Sequence, residues 1–265
     1  ISNVIFFDNK TSIKSGSGGG MCNEKSSPRL INVAFTSNKS VTGGGMSNIS
    51  SSPTLVNVSF TKNGAEYAGG GLYSEHGSVD LTNCTFIKNE TYLDCGIGSY
   101  GGGMYHNSDL LATLNNVTFN LNKSYKGGGL SFRGKSTVLN NCIIWGNVSS
   151  ISGDDICLSK GVATLNHCCY SNSNNDLYTE EGASFAFDGN CITSDPQFID
   201  VSTGDCRIND NSPCIDKGNN IYNSTLTDIR GQSRIQNTTI DIGAYEWTDG
   251  LDFICTNPTS GGKIS

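Results

Sequence analysis

The sequence is short of proline, histidine and charged residues, and each shortage narrows the class of protein it encodes. Its 265 residues include 5 prolines and 3 histidines, and 15% of the residues are charged. Asp and Glu outnumber Lys and Arg by 24 to 17, for a net charge of −7, and basic residues form no cluster. Binding to nucleic acid is therefore not expected. No apolar run approaches about 18 residues, so no membrane span is expected.

Glycine is abundant, and its placement reveals a repeat. Of 33 glycines, fifteen stand in five triplets, which begin at 18, 43, 69, 101 and 127. Each triplet is followed by Met or Leu, then by a corner asparagine, a phenylalanine (Ile144 in the last repeat) and a closing asparagine. The closing asparagines recur at intervals of about 25 residues in most repeats. A period of this length without helical patterning indicates a solenoid of short strands.

The repeat at 43–63 shows how one coil is expected to fold. Met46 points inward on a first strand and Leu55 on a second, and Asn57 makes a corner. Val58 and Phe60 point inward on a third strand, because they are two residues apart. Asparagine suits corners because it tolerates left-handed backbone geometry.

The chain is therefore predicted to be all-β, as a single-stranded right-handed parallel β-helix of about seven coils. The coils are expected to occupy 1–172, followed by last coil remnants and a C-terminal cap at 173–248 and a linker at 249–265. The residues assigned structural roles are the corner asparagines Asn32, Asn57, Asn83, Asn116 and Asn141 and the stacked phenylalanines Phe35, Phe60, Phe86 and Phe119.

Eleven cysteines suggest an oxidising compartment, and the absence of any CxxC pair argues against a zinc site. Cys84 and Cys142 fall at inward positions and are expected to be buried thiols. Cys206 and Cys214 are the favoured disulfide, because such a bond would staple a short loop. Cys157, Cys168 and Cys169 are further candidates, and the connectivity stays open.

No catalytic or cofactor-binding set emerges from the repeats. Acidic residues do not recur at equivalent offsets in adjacent coils, as a calcium site or a pair of catalytic carboxylates would require. Asp154 and Asp155 are weak candidates for a calcium site, although a polar turn in place of a glycine triplet is the preferred interpretation. His76 and His106 are expected to be solvated loop residues.

Two ordered sets of motifs carry a resemblance to known families. The FxxN and GGG[ML] repeats resemble those of polymorphic-outer-membrane-protein-type β-helix surface proteins. A succession in the C-terminal part is similar to the ending of the choice-of-anchor Q family of secreted bacterial proteins; it consists of 141–147, 195–198, 212–218, 228–234 and 241–246. The tail at 257–264, NPTSGGKI, resembles the start of a type IX secretion sorting domain.

These resemblances imply export through the type IX machinery and a place on the outside of the outer membrane. The expected function is a non-catalytic adhesion or glycan-contact module, or a structural stalk, with glycans or surface proteins as partners. The alternative is a polysaccharide lyase or glycoside hydrolase that acts on an acidic polysaccharide.

Overall fold

The computed structural model describes residues 1–11, 16–92, 98–180 and 182–248. It is an all-β, mostly parallel solenoid of about seven turns, which confirms the predicted fold class. One short 3-10 turn, Asn220–Tyr222, is the helical element within the described residues. None of the described helical structure is long and apolar enough to cross a membrane.

The strands follow one another in short lengths along the chain. They are β1 (Ser2–Phe7), β2 (Met21–Glu24), β3 (Arg29–Thr36), β4 (Lys39–Thr42), β5 (Met46–Ile49), β6 (Thr54–Thr61), β7 (Gly64–Ala68), β8 (Leu72–Glu75), β9 (Val79–Thr82), β10 (Thr85–Ile87), β11 (Glu90–Thr91), β12 (Met104–Asn107), β13 (Ala112–Asn115), β14 (Thr118–Asn120), β15 (Lys123–Lys126), β16 (Leu130–Asn140), β17 (Ile143–Trp145), β18 (Val148–Ser152), β19 (Ile156–Asn166), β20 (Cys169–Tyr170), β21 (Leu177–Thr179), β22 (Ala183–Phe187), β23 (Phe198–Asp200) and β24 (Asp205–Ile208).

Five of the coils contain one strand run more than the sequence predicts. In the coil that starts at Met46, β5 and β6 supply the three expected runs, because β6 bends at Asn57, whose φ is 54°. A further strand, β7, follows the closing Asn63. It belongs to a separate five-stranded parallel sheet formed by β4, β7, β11, β15 and β18. The sequence signal for this run is weak because its residues, such as Gly64 and Ala65, carry little side-chain bulk.

Like side chains stack directly above one another in the core. Phe6, Phe35, Phe60, Phe86 and Phe119 form one column, with ring centroids 4.5 to 4.9 Å apart and nearly parallel planes. In-register parallel pairing places the rings this way, since the spacing of neighbouring strands is also about 4.8 Å. The columns form one continuous buried cluster, which no single coil could bury alone.

The corner asparagines all adopt the left-handed conformation, with φ between 51° and 54°. They are Asn32, Asn57, Asn83, Asn116 and Asn141. Their side-chain amides also bond between coils; for example, Nδ2 of Asn57 donates to Oδ1 of Asn32 at 3.0 Å. Each corner residue therefore fixes the turn and joins adjacent coils.

The glycine triplets are required by close approach of the backbone. A Cβ at Gly70 would lie 2.4 Å from the carbonyl oxygens of both Glu90 and Gly102. Such a distance is far inside van der Waals contact, so any side chain there would force the coils apart.

The C-terminal region first continues the coils and then contacts the side of the solenoid. Parallel pairing continues beyond 172, because β21 and β22 both pair with β19. The region that follows, 196–247, which we call the flank segment, lies along the side of the solenoid. Its contacts reach far back: Nδ2 of Asn83 donates to the Thr227 carbonyl at 2.8 Å. The predicted linker at 249–265, with its sorting motif, lies outside the described residues.

Candidate functional site

Two columns of side chains share the outer face of the first strand run. Tyr73 pairs in register with Tyr105, and the residues two positions further along, Glu75 and Asn107, pair as well. Asn107 in turn pairs with Arg133. Because alternate residues of a strand face the same side, tyrosines and polar residues lie together outside while Leu72 and Met104 fill the core.

Three tyrosines form a continuous aromatic surface at the edge of this face. The ring centroids of Tyr73 and Tyr105 lie 5.6 Å apart with planes inclined by 23°. Tyr100 precedes the triplet Gly101–Gly103, and its ring lies 5.8 Å from that of Tyr105. The glycine turn therefore brings together aromatic rings from both of its sides.

This aromatic surface forms one wall of a groove with a cavity volume of about 310 Å³. The residues that line it are Tyr100, Tyr105, Arg133, Ser159, Lys160 and Glu180. We call this feature the tyrosine groove. It combines ring faces, two cationic groups, one carboxylate and a hydroxyl within a single concave surface.

The charged groups in and around the tyrosine groove differ in whether they already have an ion-pair partner. Lys126 Nζ lies 3.0 Å from a carboxylate oxygen of Glu180, and this hydrogen bond raises the pKa of Lys126. Lys160 pairs with Asp109 at 3.2 Å, where both side chains are more than half exposed. Arg133 lines the same cavity as Tyr105 and favours the ionised form of its phenol, and no carboxylate among the described residues lies within ion-pair distance of the guanidinium. The guanidinium therefore has donors to offer to an incoming anion.

Burial raises the pKa values of the two stacked tyrosines. For Tyr73 the nearby Glu75 carboxylate raises it further. For Tyr105 burial outweighs the opposing effect of Arg133. Both phenols are therefore protonated at neutral pH, and they act as stacking rings and hydrogen-bonding groups.

A second, smaller cavity of about 210 Å³ lies on the five-stranded sheet. It is lined by Glu90, Thr91, Tyr92, Ser99, Lys123, Ser124, Tyr125 and Ser150.

The weak calcium candidates are both engaged by protein donors. Asp154 Oδ1 accepts hydrogen bonds from the backbone N–H and the hydroxyl of Ser149, both at 2.7 Å. Asp155 is fully buried, accepts from the Asn147 amide at 2.8 Å, and has its pKa raised by burial. Within the described residues, no three His, Cys, Asp or Glu side chains are grouped as metal ligands. Calcium binding at this turn stays an untested prediction.

His106 does not lie in a solvated loop, contrary to the expectation. It faces inward on β12, is almost fully buried, and its Nε2 lies 3.2 Å from the Leu110 carbonyl. Its ring packs edge-on against Phe132. The strand alternation that follows each glycine triplet could have identified it, since the third residue after a triplet points inward.

The cysteines also differ from the expected arrangement. Cys84 and Cys142 are fully buried, as inward positions require. Cys206 and Cys214 are buried in the same apolar cluster of the flank segment, but the predicted bond between them is not formed, since both are free thiols. Two of the eleven cysteines, Cys95 and Cys255, lie outside the described residues.

Comparison of the chain with protein-family models, curated proteins and solved structures found no match in any of the three. The resemblances to choice-of-anchor Q proteins and to the sorting domain therefore stay predictions from the sequence.

Proposed function

We propose that this chain is an exported surface solenoid that binds acidic glycans through the tyrosine groove without transforming them. The observation that carries the proposal is the combination of the Tyr105 ring with the Arg133 guanidinium in one concave surface. Aromatic side chains and a few placed polar groups are the usual components of a ligand site. The planar donors of arginine match the two oxygens of a carboxylate.

The electrostatics of the groove favour binding over catalysis. Hydrolysis of a glycosidic bond ordinarily requires two carboxyl groups that act on opposite sides of it. Glu180, which lines the groove, is held by Lys126, and the Tyr105 phenol stays protonated. Neither group is poised as a base, so retention of the glycan is the better-supported role.

Binding is tested with the full chain and immobilised acidic and neutral polysaccharides. We expect Tyr105→Ala to weaken binding to the acidic ligand by about fivefold, because loss of one stacked ring costs on the order of 1 kcal/mol. Arg133→Ala should weaken binding and also reduce its dependence on salt. Tyr67→Ala is the matched control, because Tyr67 is an exposed tyrosine on β7, outside the groove. Equal affinities for wild type and Tyr105→Ala would refute this site.

A polysaccharide lyase or glycoside hydrolase is the competing function. Incubating the chain with the same acidic polysaccharides, followed by assays for unsaturated products and new reducing ends, separates the two. Product formation that is lost on Arg133→Ala would replace the binding proposal with an enzymatic one.

Export by the type IX route rests on the motif at 257–264 and on the resemblance of 141–246 to secreted proteins. The full chain can be expressed in a bacterium that has this secretion system and in a mutant that lacks it. We expect the protein at the cell surface or in the medium of the first strain alone. A role as an adhesin or stalk on that surface is compatible with the same result.

A further inference from the structure

Two adjacent cysteines face opposite sides of the solenoid wall. Cys168 follows the corner residue His167 and points into the core, at the position that Cys142 occupies one coil earlier. Its thiol donates to the Leu139 carbonyl at 3.4 Å, and it packs in one inward cluster with Cys142 and Cys191. Cys169, the next residue, begins β20 and points outward.

The outward side chain of Cys169 meets the flank segment at Cys214. Both residues are fully buried, in a cluster that also contains Ile143 of the coil and Ile242 of the flank segment. The Cys169 thiol donates to the Ser194 carbonyl at 3.4 Å. Two residues further along, the Pro196 carbonyl accepts from the Ser212 hydroxyl at 2.6 Å, and that hydroxyl accepts from the Cys214 N–H at 3.2 Å. Segment 194–196 therefore holds the two cysteines side by side, close enough for their thiols to interact. The backbone on the flank side is held as well, since the Ile242 N–H donates to the Cys214 carbonyl at 3.1 Å.

The Cys206 sulfur interacts with other groups than Cys214 does, although Cys206 is closer to Cys214 in sequence than Cys169 is. Cys206 sits within β24, and its sulfur interacts electrostatically with Lys88 and Tyr245. No interaction between the Cys206 and Cys214 thiols is seen within the described residues.

We propose that Cys169 and Cys214 form a disulfide in an oxidising compartment and that this bond fastens the flank segment to the solenoid. Forming it requires side-chain rotation that brings the two sulfurs to about 2.05 Å. The inference is independent of glycan binding, because neither cysteine lines the tyrosine groove.

The oxidation needs an external disulfide, such as that of oxidised glutathione or of a thiol oxidoreductase. One cysteine, as its thiolate, attacks the external disulfide and releases one reduced thiol. The second cysteine then attacks the mixed disulfide and releases the other thiol. Two protons leave the protein, and two electrons pass to the external disulfide. The interaction with the Cys214 thiol and burial both raise the pKa of Cys169. The exchange therefore takes place during folding or transient opening, when the thiolate is accessible.

Peptide mapping of the full chain, folded with oxidised glutathione and alkylated without reduction, gives a direct test. Cleavage before aspartate places the three relevant cysteines in separate peptides, 155–175, 205–209 and 210–215. We expect a cross-link between 155–175 and 210–215 that dissociates on reduction, with a mass two hydrogens below the sum of the two peptides. Cross-linking of 205–209 to 210–215, or alkylation of Cys214 in the folded oxidised chain, would overturn the proposal.

A pair of neighbouring variants assigns the partner within 155–175. Cys169→Ser should abolish the cross-link to 210–215, whereas Cys168→Ser, its inward neighbour, should retain it. Persistence of the cross-link in Cys169→Ser would overturn the assignment. Should either variant fail to fold, fragmentation of the wild-type cross-linked peptide between positions 168 and 169 still identifies the bonded residue.

Discussion

The side-chain amide of Asn63 donates to Oδ1 of Asn89 at 2.9 Å, and the backbone N–H of Asn63 donates to the same oxygen at 3.0 Å. Both residues are fully buried. The second hydrogen of the Asn63 amide goes to the Phe35 carbonyl at 2.8 Å. The same arrangement repeats between the other closing asparagines, Asn9, Asn38, Asn122 and Asn147. We call this set the closing ladder.

Removing one member of the closing ladder should destabilise the whole solenoid. Asn89→Ala leaves the backbone and side-chain donors of Asn63 without an acceptor in a dry core. Each buried unsatisfied group costs about 1–3 kcal/mol, so we expect the free energy of unfolding to fall by about 2–4 kcal/mol. Chemical denaturation measures this loss. Asn9→Ala, at the exposed end of the same ladder, is the control and should lose less than about 1 kcal/mol.

Truncating one phenylalanine of the stacked column should lower the free energy of unfolding by a similar amount. Here the cause is a cavity in the core and not a hydrogen-bonding group left unpaired. Phe60 is fully buried between the rings of Phe35 and Phe86. Phe60→Ala leaves a cavity and should lower the free energy of unfolding by about 3–5 kcal/mol. Phe7→Ala, where the ring is 65% exposed, should change it little. A small effect at Phe60 would mean that the column contributes little to stability.

Gly70, inside a triplet, and Gly182, outside the triplets, allow close approach and left-handed geometry to be tested separately. Gly70→Ala places a methyl group 2.4 Å from two carbonyl oxygens and should prevent native folding. Gly182→Ala meets no atom within 4 Å but has a φ of +81°, so it should cost about 1–2 kcal/mol. Soluble yield and circular dichroism of the two variants make the comparison. A stable, fully folded Gly70→Ala protein would contradict the described spacing of the coils.

Stability should fall as the pH rises towards 8, because of one buried carboxyl in the flank segment. Burial raises the pKa of Glu246 from 4.5 to about 8, although Arg234, 3.1 Å away, favours its ionised form. Between these pH values the folded state holds a proton that the unfolded state has released, so the free energy of unfolding decreases with increasing pH.

Glu246→Gln should lose the decline between about pH 6 and 8, since the amide cannot release a proton. Burial raises the pKa of Asp241 to about 6, so its effect on the free energy of unfolding falls mainly below pH 6. That part of the pH dependence should be the same in Glu246→Gln and in wild type, and it serves as an internal reference. Thermal unfolding across this pH range gives the comparison. A decline in Glu246→Gln as steep as that of wild type would assign the effect to another group.

The geometry of the repeats could be predicted because the same residue types occur at the same positions in successive coils. Asn57 at a corner and Phe60 three residues later specify a left-handed turn and an inward ring, and register then follows from stacking. The tyrosine pair was also present in the pattern, since Tyr73 and Tyr105 each stand two residues after a glycine triplet. Its significance emerges only when Tyr100 and Arg133, from different coils, are placed beside it.

The position of the flank segment could not be predicted in the same way. It depends on single contacts between residues more than a hundred positions apart, such as Asn83 with Thr227 and Thr118 with Ala244. No period relates these residues, so no local pattern identifies the partners. The same reason explains why sequence spacing alone does not bring Cys169 and Cys214 together as candidate partners.

The longer coil between Asn89 and Gly101 has a practical consequence for protein engineering. Eleven residues, 90–100, stand where the preceding coil has five, 64–68. Even so, Thr91 pairs with Ala65 and Tyr100 pairs with Ala68, so the neighbouring register is preserved on both sides. A foreign peptide grafted between Thr91 and Tyr100 should therefore leave the register of the stacked coils unchanged.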